Sequence, residues 1–139
     1  MRYLSPADEP WASGYLPVDG GHRLHYEQRG AADGIPVVVV HGGPGSGNSA
    51  AHAVFFAADR YRVILADQRG AGRSEPAGRL ENNTTADLLA DLDRLRVHLG
   101  IARWLVVGGS WGATLAVLYA AARPECVRGL LLRNPFLAR

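Results

Sequence analysis

Trp104-Leu105-Val106-Val107-Gly108-Gly109-Ser110-Trp111-Gly112 joins an apolar strand to a G-x-S-x-G turn, and an alanine-rich helical stretch runs on from Trp111 to Arg123. Glycines at 108 and 112 let a strand turn sharply into a helix, which leaves Ser110 in a strained conformation with its hydroxyl exposed. The helix amino terminus beneath it favours an oxygen that is becoming negative. Ser110 is therefore expected to act as a nucleophile. Such a serine needs a histidine to take its proton and a carboxylate to orient that histidine, and with this elbow both follow the serine in the chain. After Ser110 there is no His and no Asp, and Glu125 is the only acid. The sequence thus predicts the nucleophile portion of a catalytic domain without its base.

Upstream, Pro36-Val37-Val38-Val39-Val40 is an unbroken apolar run, the pattern of a strand buried on both faces of a helix-covered sheet. It empties into a glycine-rich loop, His41 to Gly47. A short helical stretch is expected around Ala50 to Ala58, and Tyr61 to Ala66 is a second strand that empties into Asp67-Gln68-Arg69-Gly70-Ala71-Gly72-Arg73-Ser74. Before these, Gly14 to Val18 and His22 to Gln28, separated by Asp19-Gly20-Gly21, predict an antiparallel hairpin behind a lead-in of residues 1–13. Thr84 or Thr85 can cap a helix whose Leu88, Leu92, Leu95 and Leu99 repeat at helical spacing, with Asp87 in its first turn and Gly100 as its stop. Pro124 closes the elbow helix, and Val127 to Leu132 is a last strand. A hairpin followed by βα units implies one partial domain, residues 1–139, with a mainly parallel, doubly wound sheet. In such sheets ligands sit at the carboxyl ends of the strands.

The composition narrows the function. Net charge is +2, and the basic residues, all Arg, are scattered, so no nucleic-acid partner is expected. The apolar runs fall short of the roughly 20 residues of a membrane span. Met1 to Trp11 carries prolines and acids instead of an apolar signal core, which predicts a cytoplasmic protein without a membrane partner. Cys126 is the single cysteine, so no internal disulfide can form. His22, His25, His52 and His98 have no cysteine or carboxylate cluster at ligand spacing, so neither a metal nor another cofactor is expected, and these histidines are assigned to the surface.

His41-Gly42-Gly43-Pro44-Gly45 follows the valine strand, where backbone N–H groups could face an oxyanion. Trp111 would give one N–H and Gly43 the other, since Pro44 has none. A phosphate loop is the competing assignment, because Gly42 to Ser49 matches G-x-x-x-x-G-K-[ST] except that Asn48 stands for the lysine. The chain contains no lysine at all, which decides against it. His41 and Asp67 precede the nucleophile, so His41 is expected to buttress its loop and not to serve as the base.

Taken together, Gly14-Tyr15-Leu16-Pro17-Val18-Asp19, the His41 to Gly45 loop, Asp67 to Ser74, Asn83-Thr84-Thr85 and Gly108 to Gly112 resemble the proline iminopeptidase family of α/β-hydrolases over nearly the whole chain. The resemblance implies an α/β-hydrolase fold and cofactor-free release of an amino-terminal proline from peptide substrates. It assigns Ser110 as nucleophile, with Trp111 and Gly43 as oxyanion donors. It also implies that the last strands, a helical cap with acidic groups for the substrate amine, and the catalytic Asp and His lie beyond Arg139. On that basis Val127 to Leu132 is expected as an apolar edge able to pair with a complementing carboxyl-terminal half or with a second copy. Two other functions fit the same residues: a noncatalytic interaction module using that edge, or another hydrolase such as an esterase.

Overall fold

A computed structural model describes residues 2–42, 47–76, 78 and 83–135. Its strands are β1 (Ala12–Pro17), β2 (Arg23–Gly30), β3 (Ile35–Val40), β4 (Tyr61–Ala66), β5 (Trp104–Ser110) and β6 (Val127–Pro135), in the sheet order β1-β2-β4-β3-β5-β6. The expected hairpin is β1 against β2, antiparallel with Leu16 opposite Leu24, and β2 is antiparallel to β4. β4, β3, β5 and β6 are mutually parallel neighbours. From β3 the chain crosses to β4 on one side, then returns to place β5 on the other. The order therefore reverses between β3 and β5, where an open α/β sheet leaves a crevice at its carboxyl edge.

Two helices, α1 (Thr85–His98) and α2 (Trp111–Ala122), lie on one face of the sheet. Thr84 caps α1 by accepting from the Asp87 N–H at 3.1 Å, and Asp87 returns the bond to the Thr84 N–H at 2.9 Å. This reciprocal box satisfies two amides that the first helical turn leaves without partners. Gly100, at φ 69°, ends the segment as anticipated. Alternation along β3 and β5 sends Val38, Val40, Trp104 and Val106 to the helical side, where they meet Leu95, Leu115 and Tyr119. Trp104 and Tyr119 meet edge to face with ring centroids 6.3 Å apart.

Among the described residues the other face is covered without an α-helix. Val37, Val39, Val63, Leu65 and Val107 pack against Leu4, Ala53 and Phe56. The stretch expected to be helical around Ala50 to Ala58 holds only a single 3-10 turn, Ala50–Ala53. Residues 2–4 are pinned over it by the Leu4 N–H to the Phe56 carbonyl at 2.9 Å and the Ala58 N–H to the Arg2 carbonyl at 2.8 Å. The lead-in thus completes a core layer.

β6 is the outer strand on the elbow side. Leu130, Leu131 and Leu132 are exposed there, as the sequence anticipated for an apolar edge.

Candidate functional site

Ser110 closes β5 and Trp111 opens α2, so the elbow has no connecting loop. Ser110 has φ 53° and ψ −121°, and it is the one non-glycine residue with positive φ among the described residues. An L-residue held there costs on the order of 1–3 kcal/mol, which surrounding packing must offset. That packing is visible at the two glycines of the turn. A Cβ on Gly108 would run into the Gly112 carbonyl, and one on Gly112 would run into the Val40 carbonyl. The turn can therefore press against the end of β3 only with glycine at both positions. The Ser110 side chain makes no capping bond to α2, and the residue is exposed.

The glycine loop is brought to the same place. A Cβ on Gly42 would lie 2.8 Å from the Gly109 carbonyl oxygen and 3.1 Å from Ser110 Cβ, so backbone and nucleophile are in close approach. Gly43, the expected second oxyanion donor, lies outside the described residues. Around Ser110 a cleft opens that is lined by Gly42, His52 and Phe55 and by Leu131 and Arg133 of β6. The Arg133 guanidinium stands 4.3 Å from the centre of the Phe55 ring. Among the described lining residues there is no carboxylate.

His41 is buried and fully engaged. Its Nδ1 donates to the Gly42 carbonyl at 3.0 Å, while its Nε2 accepts the Gln68 backbone N–H at 3.0 Å. The Gln68 side-chain amide donates in turn to the His41 carbonyl at 2.9 Å. Burial holds the His41 imidazole below the usual histidine range, and the Gly42 carbonyl and the Asp67 charge only partly oppose this. Among the described residues no hydrogen bond joins any histidine to Ser110. His41 buttresses the loop, as its position before the nucleophile suggested.

Asp67 is also structural in its contacts. It accepts from the Asn48 N–H at 2.6 Å and the Arg73 N–H at 2.9 Å, and the Ser74 hydroxyl bonds its carbonyl at 2.6 Å. His25 Nδ1 lies 3.7 Å from its carboxylate. Of the histidines assigned to the surface, His22 is instead buried at 1% exposure. Its carbonyl accepts the Val18 N–H at 2.9 Å across the hairpin turn, and the next residue, Arg23, donates its N–H to the Glu75 carbonyl at 2.7 Å.

Two functional supports escaped the sequence. Asn48, whose place had only argued against a phosphate loop, donates its side-chain amide to the Val39 carbonyl at 2.8 Å and the Ala66 carbonyl at 2.9 Å. It thereby ties the carboxyl ends of β3 and β4 together. Arg69 is fully buried and holds Asp91 through two bonds, at 2.6 and 2.7 Å, with Asp19 at 2.8 Å. The readable signal was Asp91 itself: an acid inside the Leu88, Leu92, Leu95 stripe of α1 calls for a buried cation. Among the described residues no group of three or more His, Cys, Asp or Glu could hold a metal ion.

Comparison with known proteins agrees with this geometry. The chain is 55% identical over 139 residues to the proline iminopeptidase of Xylella fastidiosa strain 9a5c, covering all of this chain and 44% of that protein. It is 53% identical to a proline iminopeptidase of Arabidopsis thaliana, covering 99% of this chain and 36% of that one. The chain therefore spans less than half the length of these relatives. Among solved structures, a proline iminopeptidase-related protein from Thermus thermophilus superposes with a TM-score of 0.75 at 30% identity, covering 89% of this chain and 44% of that one. A Vigna radiata epoxide hydrolase mutant gives 0.76 at 25% identity, with coverage of 92% and 40%. The model of the alpha/beta hydrolase fold family matches residues 35–138, so the valine strand, the switch point and the elbow all fall within it, and the chain belongs to that family.

Proposed function

We propose that this chain supplies the nucleophile and the oxyanion donors of a cytoplasmic serine aminopeptidase that releases an amino-terminal proline from peptides. The observation that carries the proposal is the elbow: Ser110 at φ 53° between β5 and α2, in close approach to Gly42. The names of the relatives support the substrate. In this mechanism Ser110 Oγ attacks the carbonyl carbon of the prolyl residue, and its proton passes to a histidine supplied from outside the 139 residues. The developing oxyanion is met by the N–H groups of Trp111 and Gly43, each worth on the order of a hundredfold or more in rate. The protonated amine leaves, and water then releases proline from the acyl-enzyme. Partners of the chain are then the peptide substrate and a complementing carboxyl-terminal segment paired with β6.

A second function, a noncatalytic module that binds through β6, is favoured by one observation, the exposure of Leu130, Leu131 and Leu132. An esterase is a third, because the same fold serves an epoxide hydrolase among the solved structures. One assay separates them. Purified chain is mixed with the carboxyl-terminal portion of the Xylella fastidiosa relative and given proline arylamide, N-acetylproline arylamide and a simple ester, with Ser110→Ala as control. Ser110-dependent release from the free-amine arylamide alone is expected. Complex formation without any turnover favours the module, and preference for the ester favours the third function.

A further inference from the structure

We infer that His41 is a positioning residue for the nucleophile, acting as a neutral Nδ1–H tautomer that Gln68 locks in place and that protonation releases. The inference rests on Gly42 belonging to the oxyanion loop, but its geometry can be tested without turnover. The Gln68 backbone N–H can only donate, so the Nε2 it meets at 3.0 Å must be unprotonated. The Gly42 carbonyl can only accept, so Nδ1 must carry the hydrogen. Both ring nitrogens are thereby assigned by partners that have no alternative role. The Gln68 side chain closes the arrangement by donating to the His41 carbonyl at 2.9 Å. A residue just after β4 thus holds both the ring and the main chain of the residue that follows β3.

The consequence reaches Ser110 through Gly42. With so little space between Gly42 and the Gly109–Ser110 backbone, a change in the His41–Gly42 peptide is felt at the elbow. A proton on Nε2 would point at the Gln68 N–H, converting an attraction into a repulsion between two donors in a buried place. His41 is 2% exposed, so water cannot take over the lost bond without local opening. Charged neighbours act in both directions: Asp67, at the end of β4 beside His25, favours the imidazolium, while His52 on the 3-10 turn opposes it. His41 also cannot serve as the base for Ser110 in this state, because its only lone pair is already used.

The test uses the 139-residue chain labelled with nitrogen-15. A histidine side-chain spectrum should show one ring in the Nδ1–H form, with a through-hydrogen-bond coupling between its Nε2 and the Gln68 amide. On acidification the amides of Gly42, Gln68 and Ser110 should shift together with that ring. His41→Gln, whose side-chain oxygen can accept from the Gln68 N–H, should keep these amides near their neutral positions and remove the acid step. His41→Leu should displace them at every pH, and should it fail to fold, the wild type and His41→Gln still decide. An Nε2–H ring, no coupling to Gln68, titration without movement of the Ser110 amide, or a ring that stays neutral until the whole chain unfolds would each overturn the inference. Absence of peptidase activity would instead count against the proposed reaction.

Discussion

β3 and β6 carry the same kind of apolar run and meet opposite ends. Val37, Val38, Val39 and Val40 are 0 to 6% exposed, whereas Leu130, Leu131 and Leu132 are 41%, 55% and 36% exposed. β3 lies between β4 and β5 and has cover on both faces, from α1 and α2 on one and from Leu4, Ala53 and Phe56 on the other. Among the described residues β6 is hydrogen-bonded to β5 only. Its leucines also alternate between faces: Leu130 is in register with Val106 on the helical side, and Leu131 with Val107 on the cleft side. An uninterrupted apolar strand announces that both of its faces are to be covered. It does not say what covers them.

The strongest way to break the comparison is to cover β6. If a complementing segment brings the base that the proposed reaction requires while burying these leucines, proline arylamide turnover should rise at least roughly a thousandfold over the chain alone, since losing correct base function in a serine triad costs about that or more. Leu130→Asp on the helical side and Leu131→Asp on the cleft side should each weaken the complementation, measured as the concentration of partner giving half-maximal rate. Full turnover by the chain alone would show that the edge needs no cover and that the base has been placed wrongly.

The second expected effect concerns what holds the covered region together. Arg69→Ala would leave Asp91 buried at 4% exposure without its two-bond partner, and breaking a buried pair from one side costs about 3–5 kcal/mol. Burial already pushes the Asp91 carboxyl up, with Arg69 pulling it back. Urea denaturation should place the variant far below wild type, and Arg69→Ala/Asp91→Leu should recover part of the loss. Arg73→Ala, at an exposed side chain on the same loop, should change little.

These supports also mark how far the sequence could be read. Strand ends, the hairpin, the Thr84 cap and the elbow were legible because each depends on residues adjacent in the chain: the valine run, the Asp87 three residues after its cap, the glycines flanking Ser110. The polar ties were not legible because they join residues far apart. Asn48 reaches the carbonyls of Val39 and Ala66, and Arg69 reaches Asp19 and Asp91, with no spacing rule to announce either bond. The 3-10 turn at Ala50–Ala53 was expected as part of a longer helix, since alanines favour helix locally. Docking of residues 2–4 over Phe56 and Ala58 instead commits the following backbone to pairing. His22 was misplaced for a similar reason: a hairpin end looks exposed in the sequence, and the pairing of neighbouring Arg23 with Glu75 is a contact between residues far apart in the chain.

A matched pair of truncations sharpens the contrast at a single side-chain type. Leu65 on β4 is 2% exposed and Leu131 on β6 is 55% exposed. Leu65→Ala should cost about 2–5 kcal/mol through lost burial and the cavity left behind. Leu131→Ala should stay within about 0.5 kcal/mol in the isolated chain. Once β6 is covered by a partner, Leu131→Ala should become costly too. Equal costs in the isolated chain would mean that β6 is buried in solution, by self-association or otherwise, and a concentration series would reveal it.

The smallest expected effect lies where β3 ends. His41 follows the buried valines and is held below the usual histidine range by burial, whereas exposed β6 runs out along the open cleft at Arg133. In the unfolded chain the His41 imidazole takes up a proton near pH 6.5. The folded chain binds that proton only at lower pH, so between the two values the unfolded state holds more protons and stability falls as pH falls. The contribution is whole above the ordinary histidine range, declines below it, and stops declining once the folded ring is itself protonated. A tenfold difference in proton affinity between the two states is worth about 1.4 kcal/mol. Denaturation midpoints at about pH 8 and about pH 5, either side of the ordinary histidine range, should therefore differ more for wild type than for His41→Gln, whose side chain cannot take up the proton. Equal differences in the two proteins would show that the end of β3 is open to water at acidic pH, and the contrast with β6 would then fail where it is most finely drawn.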